Sequence, residues 1–248
     1  MKRFVAWILV FVFAVGLLGC RTAQQKDRET EKPTDNTAVT TAKPEPEPVQ
    51  DTVEPTEEPE ADAPENGIWN ADTLFTLGTV NGDAYESTFL GYGIRLENWT
   101  FADEKQIAEA NNWGEQYLSS DIQELIDQSE TFTEMFAESE DGMANINIQY
   151  QKKAIYKSIE LDAMIDMVIP QLKTTFEQAG YTNLVIKKTK VTLGGDEYTG
   201  ANITGEVYGI SVFQRQIYIQ RGEYVAYITL TCFVDDIRDS IVARFYKL

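Results

Sequence analysis

One cysteine near the start of the chain stands where a specific covalent chemistry is expected. Lys2 and Arg3 precede an apolar run that ends at Leu18, and Gly19 then stands directly before Cys20. The apolar run is about 15 residues long, whereas a membrane-spanning helix needs about 20. This order predicts a lipoprotein signal with a lipobox rather than an uncleaved anchor helix or an ordinary cleaved signal. The predicted chemistry is attachment of a diacylglyceryl group to the Cys20 sulfur, followed by cleavage before Cys20.

Lipidation would make Cys20 the first residue of the mature chain and its membrane anchor. Two acyl chains, with palmitate among the expected fatty acids, hold a protein stably because each buried methylene contributes about 0.8 kcal/mol. The expected location is therefore the extracytoplasmic face of the cell membrane, at the cell surface.

An acidic turn provides the best candidate for a metal site. Glu138, Glu140 and Asp141 lie within five residues that end at Gly142. Calcium prefers several carboxylate and carbonyl oxygens, and glycine permits a sharp turn. The spacing does not match an EF-hand loop, so a solvated hairpin turn is the alternative. Ca²⁺ is the only cofactor that the sequence suggests.

The residue types exclude several kinds of catalysis and leave carboxylate chemistry open. The chain contains 40 acidic residues and no histidine. Without histidine there is no Ser-His-Asp or Cys-His machinery, and most zinc sites are excluded. Glycoside hydrolysis needs two carboxyl groups about 5–10 Å apart, but no motif singles out a pair. A catalytic residue is therefore not assigned.

Cys232 is the only cysteine besides Cys20, so it has no partner for a disulfide within the domain. Alternation along a strand places Cys232 on the same face as Ile228 and Leu230, which predicts a core position. A free cysteine in such a place behaves as a small hydrophobic residue.

Several tyrosines cluster in the C-terminal part of the chain and suggest two alternatives. They could form an exposed platform for a sugar or a peptide, or they could be half-buried packing residues of strands. The tyrosines concerned are Tyr198, Tyr208, Tyr218, Tyr224 and Tyr227.

Composition divides the chain into three parts: a signal segment at 1–19, a linker at 20–66 and a domain at 67–248. After Cys20 the linker has no aromatic residue, Ile, Leu or Met, and it holds seven of the eight prolines. Such a segment cannot bury enough apolar surface to fold, and we expect an extended, disordered spacer. The domain is large enough to bury a sizeable core.

Elements of the domain follow from its apolar periodicity and turn residues. An Asn81-Gly82 hairpin turn begins the domain, and a strand covers 89–96. The segment from Thr100 to Asp103 resembles a capping box. It precedes a helix that breaks near 111–114. A second helical piece starts at Ser120, with Ile122, Leu125 and Ile126 on one face. Strands then cover 132–137 and 143–151. The second of these alternates between apolar residues and Asn or Gln, which predicts a half-buried strand.

The C-terminal half is predicted as a helix, a four-stranded meander and a last helix. The first helix covers 159–179, with a kink or break at Pro170 and Gly180 as its C-terminal glycine. Asp235 is expected to cap the last helix. The meander strands are 184–192, 197–205, 206–219 and 223–233, and the apolar stripe of the last helix is Ile237, Ile241 and Phe245.

The predicted order is ββ-α-ββ-α-ββββ-α, an α+β fold with a mainly antiparallel sheet and helices packed on its faces. This order, with the segment Phe89-Leu90-Gly91-Tyr92-Gly93-Ile94-Arg95-Leu96 followed by Trp99 and a capped helix, resembles the PsbP-like fold. More narrowly, it resembles small uncharacterised lipoproteins of Gram-positive bacteria that carry a PsbP-like domain after an acidic linker. The resemblance implies an α/β/α sandwich and a non-enzymatic binding or assembly role, and it transfers no site residue.

Charge narrows the expected partners. The net charge is −19, and nucleic-acid binding depends on basic side chains that neutralise phosphates, so we expect no nucleic-acid partner. The expected function is a membrane-anchored extracytoplasmic lipoprotein whose non-catalytic domain binds a protein or a ligand. The alternatives are an extracytoplasmic hydrolase that uses carboxylates and a solute-binding lipoprotein.

Overall fold

Two antiparallel sheets and a small number of helices define the fold, which belongs to the α+β class as predicted. The structure is a computed structural model, and it describes residues 75–114, 122–152 and 160–248. The signal segment 1–19, Cys20 and the linker 20–66 lie outside these ranges, so the predictions made for them stay predictions. No helix in the described ranges is long and apolar enough to cross a membrane.

The described strands and helices alternate less regularly than predicted. The strands are β1 Thr79–Asn81, β2 Ala84–Ser87, β3 Tyr92–Arg95, β4 Trp99–Phe101, β5 Thr131–Ser139, β6 Ala144–Lys152, β7 Thr182–Leu193, β8 Asp196–Val207, β9 Ile210–Arg221, β10 Tyr224–Phe233 and β11 Phe245–Lys247. The helices are α1 Glu104–Ala110, α2 Ile122–Gln128, α3 Leu161–Gln178 and α4 Arg238–Val242. The order is therefore ββββ-αα-ββ-α-ββββ-α-β.

Near the N-terminus of α1, the predicted capping box is displaced by three residues, from Thr100 to Asp103. Thr100 belongs to β4, where it pairs with Glu138 of β5. The cap is Asp103, whose carboxylate accepts from the Gln106 backbone N–H while the Gln106 side chain accepts from the Asp103 N–H. A capping box thus starts at Asp103, because the strand ends only two residues before the helix.

The last helix is shorter than predicted, and its apolar stripe is divided between two elements. Helix α4 ends at Val242, and Phe245 begins β11, where it pairs with Ile94 of β3. Asp235 does not cap the helix, since the N-cap residue is Ile237 and no side chain caps it. Ile241 and Phe245 are both buried in the same core cluster. The apolar pattern therefore predicts their burial correctly, although Phe245 lies in a strand and not in the helix.

The first two helices and the strand before them also differ in detail. The predicted strand at 89–96 is confined to β3, because the chain turns at Gly91, whose φ is 76° and whose N–H donates to the Ser87 carbonyl. In α2, Leu125 and Ile126 are buried as expected, but Ile122 is exposed. The predicted start of α2 at Ser120 lies outside the described residues.

The C-terminal meander is confirmed, with longer strands and one turn displaced. The predicted boundary at 205–206 lies instead at Tyr208 and Gly209, whose φ values are 50° and 78°. Two consecutive residues with positive φ are typical of the two-residue turn that suits the twist of a hairpin. Helix α3 continues through Pro170 without a break, and Gly180 follows it at a φ of 89°.

Strand pairing gives a four-stranded sheet, β1-β2-β3-β11, and a seven-stranded sheet, β4-β5-β6-β10-β9-β8-β7. The main core lies on one face of the large sheet and contains residues of the small sheet, α1, α2 and α4. On the other face, α3 packs through Met164, Ile165 and Val168. Helices therefore contribute to both faces, as predicted, but the four-stranded sheet was not expected.

Candidate functional site

The candidate site is a group of neutral polar side chains on the α3 face of the seven-stranded sheet. It comprises two rows that run across three neighbouring strands, and we call it the polar patch. The first row is Asn145 on β6, Thr231 on β10 and Gln214 on β9, and the second row is Asn147, Thr229 and Gln216 on the same strands. The register places each row side by side on one face of the sheet.

The sequence positions these residues by strict alternation. In β6, Asn145 and Asn147 alternate with Ile146 and Ile148, whose side chains lie in the main core on the opposite face. The same alternation holds in β10, where Leu230 of the core separates Thr229 from Thr231. A shift of the strand register by one residue would move the polar patch residues into the apolar core, so the register is strongly determined.

Burial of the polar patch is the feature that the sequence missed. Its six side chains are between 2% and 5% exposed, although an alternating strand with a polar face normally turns that face to water. The predicted strand at 143–151 is confirmed as β6, but its predicted half-burial is wrong, since both faces of β6 are buried over Ala144–Ile148. Neutral polar groups removed from water require hydrogen-bond partners.

Some side chains near the patch have such partners. The Tyr218 hydroxyl donates to Oε1 of Gln216 at 2.6 Å, and the Tyr227 hydroxyl donates to Oε1 of Gln151 at 2.6 Å. Gln149 donates to the hydroxyl of Thr133 at 3.0 Å. The first two bonds lie at the side of the patch that adjoins α3, where Tyr218 and Tyr227 also pack against the apolar residues of that helix.

Two acceptors of the patch have no such partner. Oδ1 of Asn147 and Oε1 of Gln214 are buried and accept no hydrogen bond within the described ranges. An unsatisfied buried acceptor costs about 1–3 kcal/mol. The two acceptors therefore have hydrogen-bonding capacity that no described residue uses.

The acidic turn is placed away from the polar patch, apart from its first residue. Glu138 lies at the end of β5 and pairs with Asn145 of the patch. Asp141 accepts from the Ser139 hydroxyl at 2.7 Å and from the Met143 N–H at 2.9 Å, and the Ser139 bond lowers the pKa of its carboxyl. Within the described ranges no three Cys, Asp or Glu residues lie where they could hold a metal ion. The Ca²⁺ site at Glu138, Glu140 and Asp141 stays a prediction.

A buried carboxylate, Glu134, lies on the core side and was not predicted. The pairing of β5 with β6 shifts register between Thr133 and Met135, and such a bulge redirects a side chain. Glu134 accepts from the Tyr85 hydroxyl and from the Gly78 N–H at 2.6 Å. Burial raises the pKa of its carboxyl, and these two hydrogen bonds partly offset the rise.

The five tyrosines do not form one platform, and the burial of Tyr218 and Tyr224 agrees with the other alternative, that of packing residues. Tyr218 and Tyr224 are both buried, but on opposite faces of the sheet. Tyr218 pairs with Tyr227, which lies three residues after Tyr224 on β10 and therefore on the other face. Tyr208 is exposed at a hairpin turn, and the Tyr198 hydroxyl lies 2.8 Å from that of Tyr92. Tyr227 is half-buried beside the polar patch. Strand alternation therefore disperses residues that are clustered in sequence.

Cys232 is buried in the main core with Ile228 and Leu230, as predicted. Burial raises the pKa of its thiol to about 11. Since the thiolate is the reactive form of cysteine, Cys232 has the properties of a packing residue.

Comparisons with known proteins leave the family open. No family model matches the chain, and no curated protein matches it. Among solved structures it is similar to a crystal structure of a protein of unknown function from Pseudomonas aeruginosa, with 19% identity and a TM-score of 0.25. The match covers 36% of this chain and 58% of that protein.

Proposed function

We propose that this protein is a lipid-anchored, non-catalytic binding protein of the extracytoplasmic membrane face, and that the polar patch is its binding surface. The observation that carries the proposal is the pair of unsatisfied acceptors, on Asn147 and Gln214, inside a buried group of six neutral polar side chains. Anchoring rests on the lipobox that ends at Cys20 and on the polar linker at 20–66.

The PsbP-like assignment belongs to the same proposal. Two antiparallel sheets with helices on both faces of the larger one are compatible with a PsbP-like sandwich, and the resemblance implies a binding or assembly role. The buried carboxylate Glu134 gives no support to a hydrolase, because it is bound by Tyr85 and Gly78 on the core side of the sheet.

The anchoring half of the proposal is tested by one substitution. We expect Cys20→Ser to abolish incorporation of labelled palmitate and to change the membrane fractionation of the chain. Cys232→Ser is the matched control, since Cys232 lies in the core, and it should incorporate palmitate like the unaltered chain. Palmitate incorporation into Cys20→Ser would contradict the proposal.

The binding half is tested by photo-crosslinking on intact cells. A photoreactive residue placed at Gln149, beside the polar patch, should capture a specific partner or ligand. The same residue placed at Tyr208, which is 91% exposed at a distant turn, should not. Asn147→Leu with Gln214→Leu should remove the capture at Gln149. Capture that persists in this double variant, or no capture at all, would contradict a binding role for the patch.

A further inference from the structure

The seven-stranded sheet divides at one end, between β8 and β9. The ladder that joins these two strands ends at Gly200 and Ile217. Beyond it, residues 196–199 continue to pair with β7, whereas residues 218–221 continue to pair with β10. The two strand ends are therefore connected by side chains rather than by backbone pairing.

Five side chains, which we call the corner site, form a hydrogen-bonded chain at this division. They are Tyr92 of β3, Asp196 and Tyr198 of β8, Arg221 of β9 and Lys247 of β11. Arg221 donates to the Tyr198 hydroxyl at 3.3 Å, and the hydroxyls of Tyr198 and Tyr92 are 2.8 Å apart. Tyr92 donates to the Asp196 carboxylate at 2.5 Å. Because Tyr92 gives its one proton to Asp196, Tyr198 is the donor to Tyr92.

Arg221 is the unusual member of the corner site, because its partners are all neutral. Its guanidinium donates to the carbonyl oxygens of Leu90 and Gln220 and to the Tyr198 hydroxyl, at 3.2, 3.4 and 3.3 Å. In the described part of the chain no carboxylate, including that of the exposed Glu223, forms an ion pair with Arg221. A half-buried guanidinium normally has an acidic partner. With five N–H groups, this one retains donors for a further acceptor.

The charges of the corner site do not cancel. Lys247 donates to Asp196 at 3.0 Å, and the bond from Tyr92, followed by that from Lys247, lowers the pKa of the Asp196 carboxyl. Asp196 is therefore ionised at neutral pH. Two cations and one carboxylate leave one positive charge uncompensated, in a chain whose net charge is −19. This local excess favours a ligand with one negative charge.

The corner site is accessible without any movement of the fold. The Lys247 side chain is 50% exposed and the Asp196 side chain is 27% exposed. Gly91 and Gly195 directly precede Tyr92 and Asp196, and neither has a heavy atom within 4 Å of the place where a Cβ would lie. The turns beside the site therefore leave open space, and a small ligand can approach from solvent.

We propose that the corner site binds a carboxylate group, an inference that goes beyond the function proposed for the polar patch and does not depend on it. The planar guanidinium of Arg221 matches the two oxygens of a carboxylate, and Lys247 supplies a second cation. A single negative charge neutralises the site, whereas a phosphate dianion would leave excess negative charge beside Asp196. Tyr92 and Tyr198 lie on the main core face, and the polar patch lies on the α3 face.

A small organic acid and the C-terminus of a peptide both present a carboxylate, so the experiment includes both. It measures how far each probe protects Arg221 from phenylglyoxal, a reagent for arginine side chains, in the full lipidated chain in detergent. The probes are acetate, an N-acetylated dialanine, the same peptide with an amidated C-terminus, and inorganic phosphate. Ionic strength is kept constant with chloride, and mass spectrometry gives the modification rate of each arginine.

Arg244 is the internal control, since it is exposed and, among the described residues, also has no ion pair. We expect acetate or the free-carboxylate peptide to slow the modification of Arg221 saturably, by about tenfold or more, and to leave Arg244 unchanged. Stronger protection by the free-carboxylate peptide than by acetate would support a polypeptide terminus as the source of the carboxylate. Stronger protection by acetate would support a small acid.

Variants test whether the charges of the site cause the protection. Lys247→Gln removes the second cation and should raise the acetate or peptide concentration for half-protection by about tenfold or more. Lys187→Gln, which removes an exposed lysine of β7, should leave it unchanged. The double variant Asn147→Leu with Gln214→Leu should also leave it unchanged, so failure of the polar patch and failure of the corner site are distinguishable.

Several results would overturn the inference. These are no saturable protection, equal protection of Arg244, equal protection by the amidated peptide, stronger protection by phosphate, and an unchanged half-protection concentration in Lys247→Gln. Absence of any modification of Arg221 without a probe would show that its guanidinium is inaccessible, which would also overturn the inference.

Discussion

The Tyr85 hydroxyl donates a hydrogen bond to the Glu134 carboxylate at 2.5 Å and joins the two sheets of the domain. Tyr85 lies on β2 of the four-stranded sheet, and Glu134 lies on β5 of the seven-stranded sheet. Both residues are buried. The Gly78 N–H donates to the other carboxylate oxygen, so both oxygens of a buried acid are bound by the smaller sheet and the segment before it.

This buried acid should make stability depend on pH. Burial raises the folded-state pKa of Glu134 above its ordinary value of 4.5, so the native state binds the proton more tightly than the unfolded state. Between the unfolded pKa and the raised folded pKa, the free energy of unfolding should therefore fall as the pH rises. Glu134→Gln should flatten this slope in urea unfolding measured from pH 4.5 to pH 8. A slope equal to that of the unaltered chain would show that Glu134 does not contribute to it.

Tyr85→Phe tests the hydrogen bond itself. It leaves one oxygen of a buried carboxylate without its donor, which should cost about 1–3 kcal/mol of unfolding free energy at neutral pH. Since the Tyr85 bond lowers the pKa of Glu134, its loss should also raise that pKa further and extend the pH-dependent range. Tyr246→Phe is the matched control, because its hydroxyl bonds to the exposed Glu86, and it should change stability by less than about 0.5 kcal/mol.

Sequence patterns predicted the local structure well and the polar burial poorly. The hairpin at Asn81-Gly82, the strand β6, the meander and the core position of Cys232 follow from turn chemistry and from alternation. Glu134 was missed because a bulge in β5 breaks the alternation. The polar patch was missed because Asn145 and Asn147 have the pattern of a solvent-facing strand, and only the tertiary fold buries them.

Errors at the ends of elements have a similar origin. Phe245 continues the apolar period of α4 but belongs to β11, because pairing with Ile94 outweighs the helical pattern. The turn at Tyr208 and Gly209 was placed too early, since a tyrosine with a φ of 50° is a poor turn signal in sequence. Long-range pairing and unusual backbone conformations are therefore the information that local patterns lack.

The Cys232 thiol should be unreactive in the folded chain. Its pKa of about 11 leaves little thiolate at pH 8, and its side chain is fully buried. In Cys20→Ser, a chromogenic disulfide reagent should therefore react with no thiol under native conditions and with one after denaturation. Rapid stoichiometric reaction of the native chain at pH 8 would contradict the core position.

Gly200 should be required for the approach of β8 to β9. A Cβ atom at this position would lie 2.5 Å from the backbone carbonyl oxygen of Gln216, so the two strands must separate to accept it. Gly200→Ala should destabilise the domain by about 1–3 kcal/mol in urea unfolding, as overpacking does. Ser211→Ala, a half-buried position on β9, should change stability by less than about 0.5 kcal/mol. Equal stability of the two variants would show that the contact is easily relieved.

Gly200→Ala should also disturb the polar patch, because the displaced backbone belongs to Gln216. Ligand capture at the patch should therefore fall more than the stability change alone explains. Capture by Gly200→Ala and by Ser211→Ala is compared without urea, at a temperature at which circular dichroism shows that both variants are fully folded. Undiminished capture by folded Gly200→Ala would show that the β8–β9 contact does not affect the proposed binding surface.

The unsatisfied acceptors of the patch predict a conflict between stability and binding. In Asn147→Leu and Gln214→Leu, an apolar side chain of similar size replaces a buried group without a partner. Each substitution should raise the free energy of unfolding by about 1–3 kcal/mol, which is the cost of an unsatisfied buried group. Both should weaken ligand capture, as expected where a binding site retains unfavourable groups for its function.

Gln216→Leu is the matched contrast on the same face and in the same row as Asn147. Gln216 accepts from the buried Tyr218 hydroxyl, so its loss leaves that hydroxyl without a partner and should destabilise the domain by about 1–3 kcal/mol. Urea unfolding of the three variants therefore gives opposite signs for residues that are equally polar and equally buried. Destabilisation of Asn147→Leu to the same extent as Gln216→Leu would mean that Asn147 is satisfied within the fold, and the argument that the patch is built for a ligand would fail.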